Sequence, residues 1–222
     1  MILPGRRILA AVFFAALALR GLFWARMFPH PQTYMRPDSW DYTALGQNLA
    51  QHGVFSRSLG QPETSRTPGY PFFLSAHYLF STSPRWPALT QTLLDGATAV
   101  LVTLAACALA PGSPAWLAGF LYALDPVVAA HSPLLISETL FTFLLAAALY
   151  ALILCGREGR LGMALASGLC VGLATFTRPV ALYLWIPWGA ALAWVWGRRR
   201  WRTAAGWAAA AGPRWKGLRR YR

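Results

Sequence analysis

The chain has 222 residues, of which 56% are hydrophobic and only 12% charged, about half the charged share of a soluble domain. Seven acidic residues are too few to coat water-facing cores in a chain of this length, which excludes a soluble globular protein. The net charge of +13 does not indicate nucleic acid, because the arginines sit between apolar runs instead of gathering on one polar face, the pattern that marks the cytoplasmic loops of a membrane protein.

A membrane-crossing helix needs about 20 mainly apolar residues, and the sequence predicts six, near 8–28, 88–109, 115–132, 134–154, 161–177 and 180–196. The first follows Arg6 and Arg7. No small-residue cleavage site comes before Trp24, Arg26 and Met27, so it reads as a retained span and not as a signal peptide. Between about 29 and 87 lies a long segment with two short helices. In the first, Asp38 to Gln51, Trp40, Leu45 and Leu49 recur near a helical period, with Asp38 or Ser39 placed to cap it and Gly53 to end it. The second, Tyr70 to Phe80, follows Pro68-Gly69 and is too short to cross, so it is expected to lie at the membrane interface.

Further along, Pro111-Gly112-Ser113-Pro114, Ser132-Pro133 and Arg178-Pro179 punctuate the joins, since proline disfavours helix before it and lacks a donor. The 115–132 span is itself interrupted by Asp125-Pro126. After 196 come Arg198 to Arg200 and Arg202, then a short apolar stretch and a basic run from Arg214 to Arg222. Cys107, Cys155 and Cys170 all fall inside apolar runs without metal or disulfide spacing, and the four histidines show no ligand spacing. The basic loops put the N-terminus and the 155–160 and 197–202 loops in the cytoplasm, and so bring the 29–87 loop and the 132–134 and 177–179 joins together on the outer face.

That face holds most of the chemistry-bearing residues. Asp38 and Asp41, three apart, share one side of a helix, either as a general base and its neighbour or as a cap and a solvated first-turn acid. Arg66, in Arg66-Thr67-Pro68-Gly69-Tyr70-Pro71, either clamps a phosphate bidentately or snorkels to lipid headgroups. Glu138 and Arg178 stand at the outer ends of their spans, where they either face a ligand or pair with each other and hold two helices. Asp95 and Asp125 are expected to line the same water-accessible cavity.

In this order and spacing, Pro37-Asp38-Ser39-Trp40-Asp41-Tyr42, Arg66-Thr67-Pro68-Gly69-Tyr70-Pro71, Ser137-Glu138-Thr139-Leu140-Phe141 and Gly172 to Pro179 resemble the protein mannosyltransferases and lipid A aminoarabinose transferases, membrane glycosyltransferases of the GT-C fold. The resemblance spans roughly residues 5–196. It implies an all-α, multi-pass bundle of the GT-C type with a long extracytoplasmic first loop, seated in the plasma (inner) membrane. It also implies a sugar donor linked to a polyprenyl phosphate, a lipid, glycan or protein hydroxyl as acceptor, and transfer with inversion.

On the same resemblance Asp38 is the catalytic acid of the first loop, with Asp41 beside it. Ser39 stands where many members carry a second acid directly after the first. Arg66 faces the donor phosphate, with Tyr70, Glu138 and Arg178 also on the substrate's side. No resident cofactor is implied, although the family leaves room for a divalent cation beside the phosphate. Members normally have about twice as many spans, so residues 1–196 correspond to the N-terminal part of the glycosyltransferase domain and 197–222 to a basic tail, as in a truncated chain. Two other readings of the same residues stand beside this one: a transporter or flippase subunit whose polar residues line a permeation path, and a structural membrane scaffold.

Overall fold

The computed structural model of the protein describes residues 4–210; within it helices and their connections account for the whole chain, with no β-strand among the described residues. The helices are α1 (Arg6–Met27), α2 (Pro37–His52), α3 (Gly69–Tyr78), α4 (Arg85–Leu109), α5 (Leu117–Ala123), α6 (Pro126–His131), α7 (Glu138–Glu158), α8 (Leu161–Thr177) and α9 (Trp185–Ala210). Helices α1, α4 and α7, and the stretch Pro179–Arg198, are long and apolar enough to cross a membrane. At 17 residues α8 is somewhat shorter, about 26 Å at 1.5 Å per residue, so a polar residue just past its end stays close to the hydrocarbon boundary. The part of the basic tail beyond residue 210 lies outside the described residues.

Helix α4 packs between α1 and α7, α8 packs on α7, and α5 lies across α1 and α4. The outward faces are apolar: Phe14, Leu22, Leu165, Leu169 and Ile186 are each more than half exposed, as lipid-facing side chains are. At one end of this bundle α2 and α3 pack against each other, and α3 also touches α4 and α8. Tyr34, Tyr42, Tyr70, Leu74, Tyr78 and Leu135 form the core that seats them, with Trp24, Met27 and Leu140 packed at its edge. Burial pushes the Tyr34 hydroxyl up to about 12, against the nearby charge of Arg85, and that hydroxyl donates to the Trp24 carbonyl at 3.0 Å.

The 115–132 segment departs from a single span. Pro126 has no N–H to give the Tyr122 carbonyl, and the Val127 N–H that would meet the Ala123 carbonyl turns instead to the Asp125 carboxylate at 2.8 Å. Helix α5 therefore stops, and Asp125 caps the new helix α6 through Val127 and Val128. The Ala123 carbonyl is left without a backbone donor and the Tyr122 carbonyl keeps only a long bond from the Asp125 N–H at 3.4 Å, which at membrane depth is costly. Arg20, fully buried in α1, meets both: its Nη1 donates to Ala123 O at 2.6 Å and its Nη2 to Tyr122 O at 3.2 Å. Its Nε donates to Asp95 at 2.5 Å, and the Tyr122 hydroxyl donates to the other Asp95 oxygen at 2.5 Å. A buried arginine thus repairs the helix break, and a buried carboxylate balances its charge.

Candidate active site at the loop end of the bundle

Helix α2 begins as its sequence requires, but with a different cap from the one expected. Arg36 is the N-cap, Pro37 occupies the first helical position, and the Ser39 hydroxyl reaches back to accept the Arg36 N–H at 2.8 Å. Gly53 ends the helix in the left-handed conformation, φ +67°, which a residue with a Cβ adopts only at a cost. Asp38 is therefore not spent as a cap. It lies in the first turn with Asp41 one turn on, and both carboxylates point to the same guanidinium.

That guanidinium belongs to Arg66. Its Nη2 donates to Asp38 at 2.8 Å and to Asp41 at 3.0 Å, and its Cζ lies 5.2 Å from the centre of the Tyr42 ring. The hydrogen bond to Asp38, against the cost of burial and helped by Asp41, raises the Arg66 pKa above the ordinary arginine range, so its charge is permanent. Arg57 closes the outer side of the cluster, with Nη1 on Asp41 at 3.3 Å and Nε on Glu63 at 2.5 Å. The Ser65 hydroxyl and backbone N–H, with Arg57, hold the Glu63 carboxyl down at about 2, despite the cost of burial. The 55–65 loop is thereby tied to α2, and Asn48 fastens its near end by donating to the Ser56 carbonyl at 2.8 Å.

The turn after Arg66 seats the cluster on the bundle. Thr67 Oγ1 donates to the Thr177 carbonyl at 3.0 Å, at the end of α8 and directly before Arg178. Gly69 makes the seat possible: a Cβ there would lie 2.6 Å from the Phe176 carbonyl oxygen and 2.8 Å from the Thr177 nitrogen, both fixed backbone atoms. Gly69→Ala is expected to push α3 off α8 and to destabilise the protein by about 1–3 kcal/mol, as overpacking does. Unfolding in detergent at increasing temperature measures this, and wild-type stability in the variant would contradict the close seat.

Arg178 forms an ion pair with Glu138 at the start of α7, and its Cζ lies 5.8 Å from the Phe141 ring centre. The two residues thus hold α7 to the end of α8, one of the two roles open to them from the sequence. Asp95 and Glu138 border one cavity of about 230 Å³ between α6 and α7, with Tyr122, His131 and Thr142 among its walls. Asp125, expected there too, is the α6 cap instead.

Tyr70 lies beneath the cluster. It is fully buried, its hydroxyl donates to Gln91 Oε1 at 2.8 Å, and its ring meets Tyr42 edge-on with centres 5.0 Å apart. Burial pushes its pKa well above the tyrosine range and keeps it neutral. So enclosed, its side chain packs under Tyr42 and Arg66. Arg20, Arg57, Glu63 and Gln91 entered none of the sequence-based constellations. Arg20 and Gln91 did carry a signal, as polar side chains within apolar runs.

Among the described residues no three His, Cys, Asp or Glu side chains gather as metal ligands. The two carboxylates on α2 turn to arginines, a donor set that does not fit a divalent cation.

No curated protein and no solved structure matches the chain. A family model of dolichyl-phosphate-mannose-protein mannosyltransferases matches residues 65–212, about two thirds of the chain. The match takes in Arg66, Glu138 and Arg178; Asp38 and Asp41 lie before it and reach it through their bonds to Arg66. With its apolar spanning helices, the protein is a multi-pass membrane protein that belongs to the dolichyl-phosphate-mannose-protein mannosyltransferase family, membrane glycosyltransferases that use polyprenyl-phosphate sugar donors.

Proposed function

We propose that the protein moves a sugar from a polyprenyl-phosphate donor to a hydroxyl on a lipid, glycan or protein, with inversion, at the outer face of the plasma (inner) membrane. Residues 1–196 supply the part of the glycosyltransferase domain that carries the acid and the phosphate-binding arginines. The placement of the basic residues supports the orientation. Arg6, Arg7, Arg157, Arg160 and Arg198 lie at the end of the bundle away from α2 and α3, where cytoplasmic charge belongs.

The observation that carries the chemistry is Arg66 between two carboxylates, on a turn seated beside Arg178. Asp38 is the more open of the two acids, its side chain 61% exposed against 31% for Asp41, so it is the one an acceptor can reach. In the reaction the acceptor oxygen attacks the anomeric carbon while its proton passes to Asp38. The bond from that carbon to the phosphate oxygen breaks, and its electron pair leaves with the polyprenyl phosphate.

The leaving phosphate needs positive charge held in place beforehand. Among the described residues no acceptor meets Nε or Nη1 of Arg66, nor Nε or Nη2 of Arg178, so each guanidinium keeps an open edge for phosphate oxygens. Asp41 and Arg57 keep Arg66 in position.

Membranes containing the protein, supplied with polyprenyl phosphate carrying a radiolabelled hexose, test the proposal. It expects label in an acceptor fraction, lost when Arg66 is replaced by Ala. Flux of the intact donor across proteoliposomes without a covalent product would support a transporter and overturn it.

A further inference from the structure

We infer that Gln91, in the second turn of α4 at the loop end of the bundle, is a positioning residue that couples the Asp38–Asp41–Arg66 cluster to the Glu138–Arg178 pair; this rests on the function proposed above. Gln91 lies on α4 and is fully buried among apolar side chains. Its amide has no contact with water, yet both of its ends are satisfied. Oε1 accepts the Tyr70 hydroxyl at 2.8 Å, and Nε2 donates to the carbonyls of Leu134 at 2.9 Å and Ile136 at 3.2 Å. Each partner lies one step from the site.

On one side, Tyr70 follows Gly69 on α3, and its ring stands edge-on to Tyr42, the ring beneath the Arg66 guanidinium. On the other side, the 134–136 turn runs straight into Ser137 and Glu138, where α7 begins and Arg178 is held. The far edge of that turn is also fixed, by the Leu135 N–H to the Tyr34 carbonyl at 2.9 Å.

An amide left unpaired in such surroundings costs several kcal/mol, so the three hydrogen bonds persist or break together. These bonds therefore tie the position of the α2–α3 pair to that of the start of α7. The two arginines that must close on one phosphate sit at the two ends of this connection. A leucine would fill the same space but leave the buried Tyr70 hydroxyl without an acceptor and cut the link to the 134–136 turn.

The test uses the full chain in nanodiscs, with its cysteines replaced and spin labels at Phe80→Cys, on the exposed residue after α3, and His131→Cys, at the end of α6. Gln91→Met keeps the length of the side chain and removes all three bonds. Tyr70→Phe removes one oxygen and keeps the ring, which preserves the test if the methionine variant does not fold.

The inference expects both variants to broaden the label-to-label distance distribution. It also expects kcat to fall about 10- to 100-fold, as a misplacement near 1 Å does, with donor KM changed by no more than about twofold. An unchanged distribution overturns it, and so does a broadened distribution with undiminished kcat, which is what a purely structural glutamine would give. Absence of transfer by the wild-type protein counts against the proposed function, and an unchanged distance distribution overturns the coupling whether or not transfer is seen.

Discussion

Replacement of Asp38 by Asn is expected to lower sugar transfer about a thousandfold, within the range a general base contributes, and to leave the fold unchanged. The side chain stays the same size and still offers Arg66 an oxygen, and its loss of charge removes only a partly exposed ion pair, worth at most about 1 kcal/mol. The effect therefore falls on kcat and not on expression or stability. Asp41→Asn should be milder, because Arg57 and Arg66 both hold that carboxylate and its part is to place the guanidinium. Initial rates of label transfer, normalised to folded protein by gel filtration, measure both. If Asp38→Asn turned over at the wild-type rate, Asp38 would have no part in the mechanism.

Arg20→Leu is expected to destabilise the protein by about 3–5 kcal/mol, although it makes the first span more apolar. Hydropathy alone predicts the opposite sign, since an arginine near the centre of a span costs about 3 kcal/mol to insert. The difference comes from what Arg20 touches: without it, Asp95 is a buried charge with no counter-ion, the Ala123 carbonyl loses its donor and the Tyr122 carbonyl keeps only backbone N–H groups. Combining Arg20→Leu with Asp95→Leu removes the uncompensated charge but leaves the carbonyls. The double variant should therefore be more stable than Arg20→Leu and less stable than wild type. Equilibrium unfolding in mixed detergent micelles gives all three values, and strictly additive losses would contradict the pairing.

Much of the architecture is legible in the sequence, because a lipid solvent leaves few options: an apolar run near 20 residues becomes a helix and proline marks where it stops. The segment expected at 161–177 is α8 to the residue, and the short helix after Pro68-Gly69 forms as Gly69–Tyr78 against an expected Tyr70 to Phe80. The 115–132 segment was half legible. Asp125-Pro126 signals a break, but the repair comes from Arg20, more than a hundred residues earlier.

Charges on the loop end were legible as a set, since the topology gathers them, and the Glu138–Arg178 pair was one of two alternatives open from the sequence. That Arg66 takes Asp38 and Asp41 depends on how α3 seats on α8, which Gly69 permits and no local pattern encodes. Tyr70 shows the same limit. Its place in the Pro-Gly motif is visible in the sequence, but the direction of its ring is decided by a partner on α4.

The proposed chemistry requires the α2–α3 end of the bundle to face away from the cytoplasm. Single cysteines at Trp40, exposed on α2, and at Arg160, exposed between α7 and α8, placed in a cysteine-free chain and treated in intact cells with a membrane-impermeant maleimide, test this directly. Label at position 40 and none at 160 until the cells are opened is the predicted result. Label at 160 in intact cells with position 40 protected would place Asp38, Arg66 and Arg178 on the wrong side of the membrane and contradict the account.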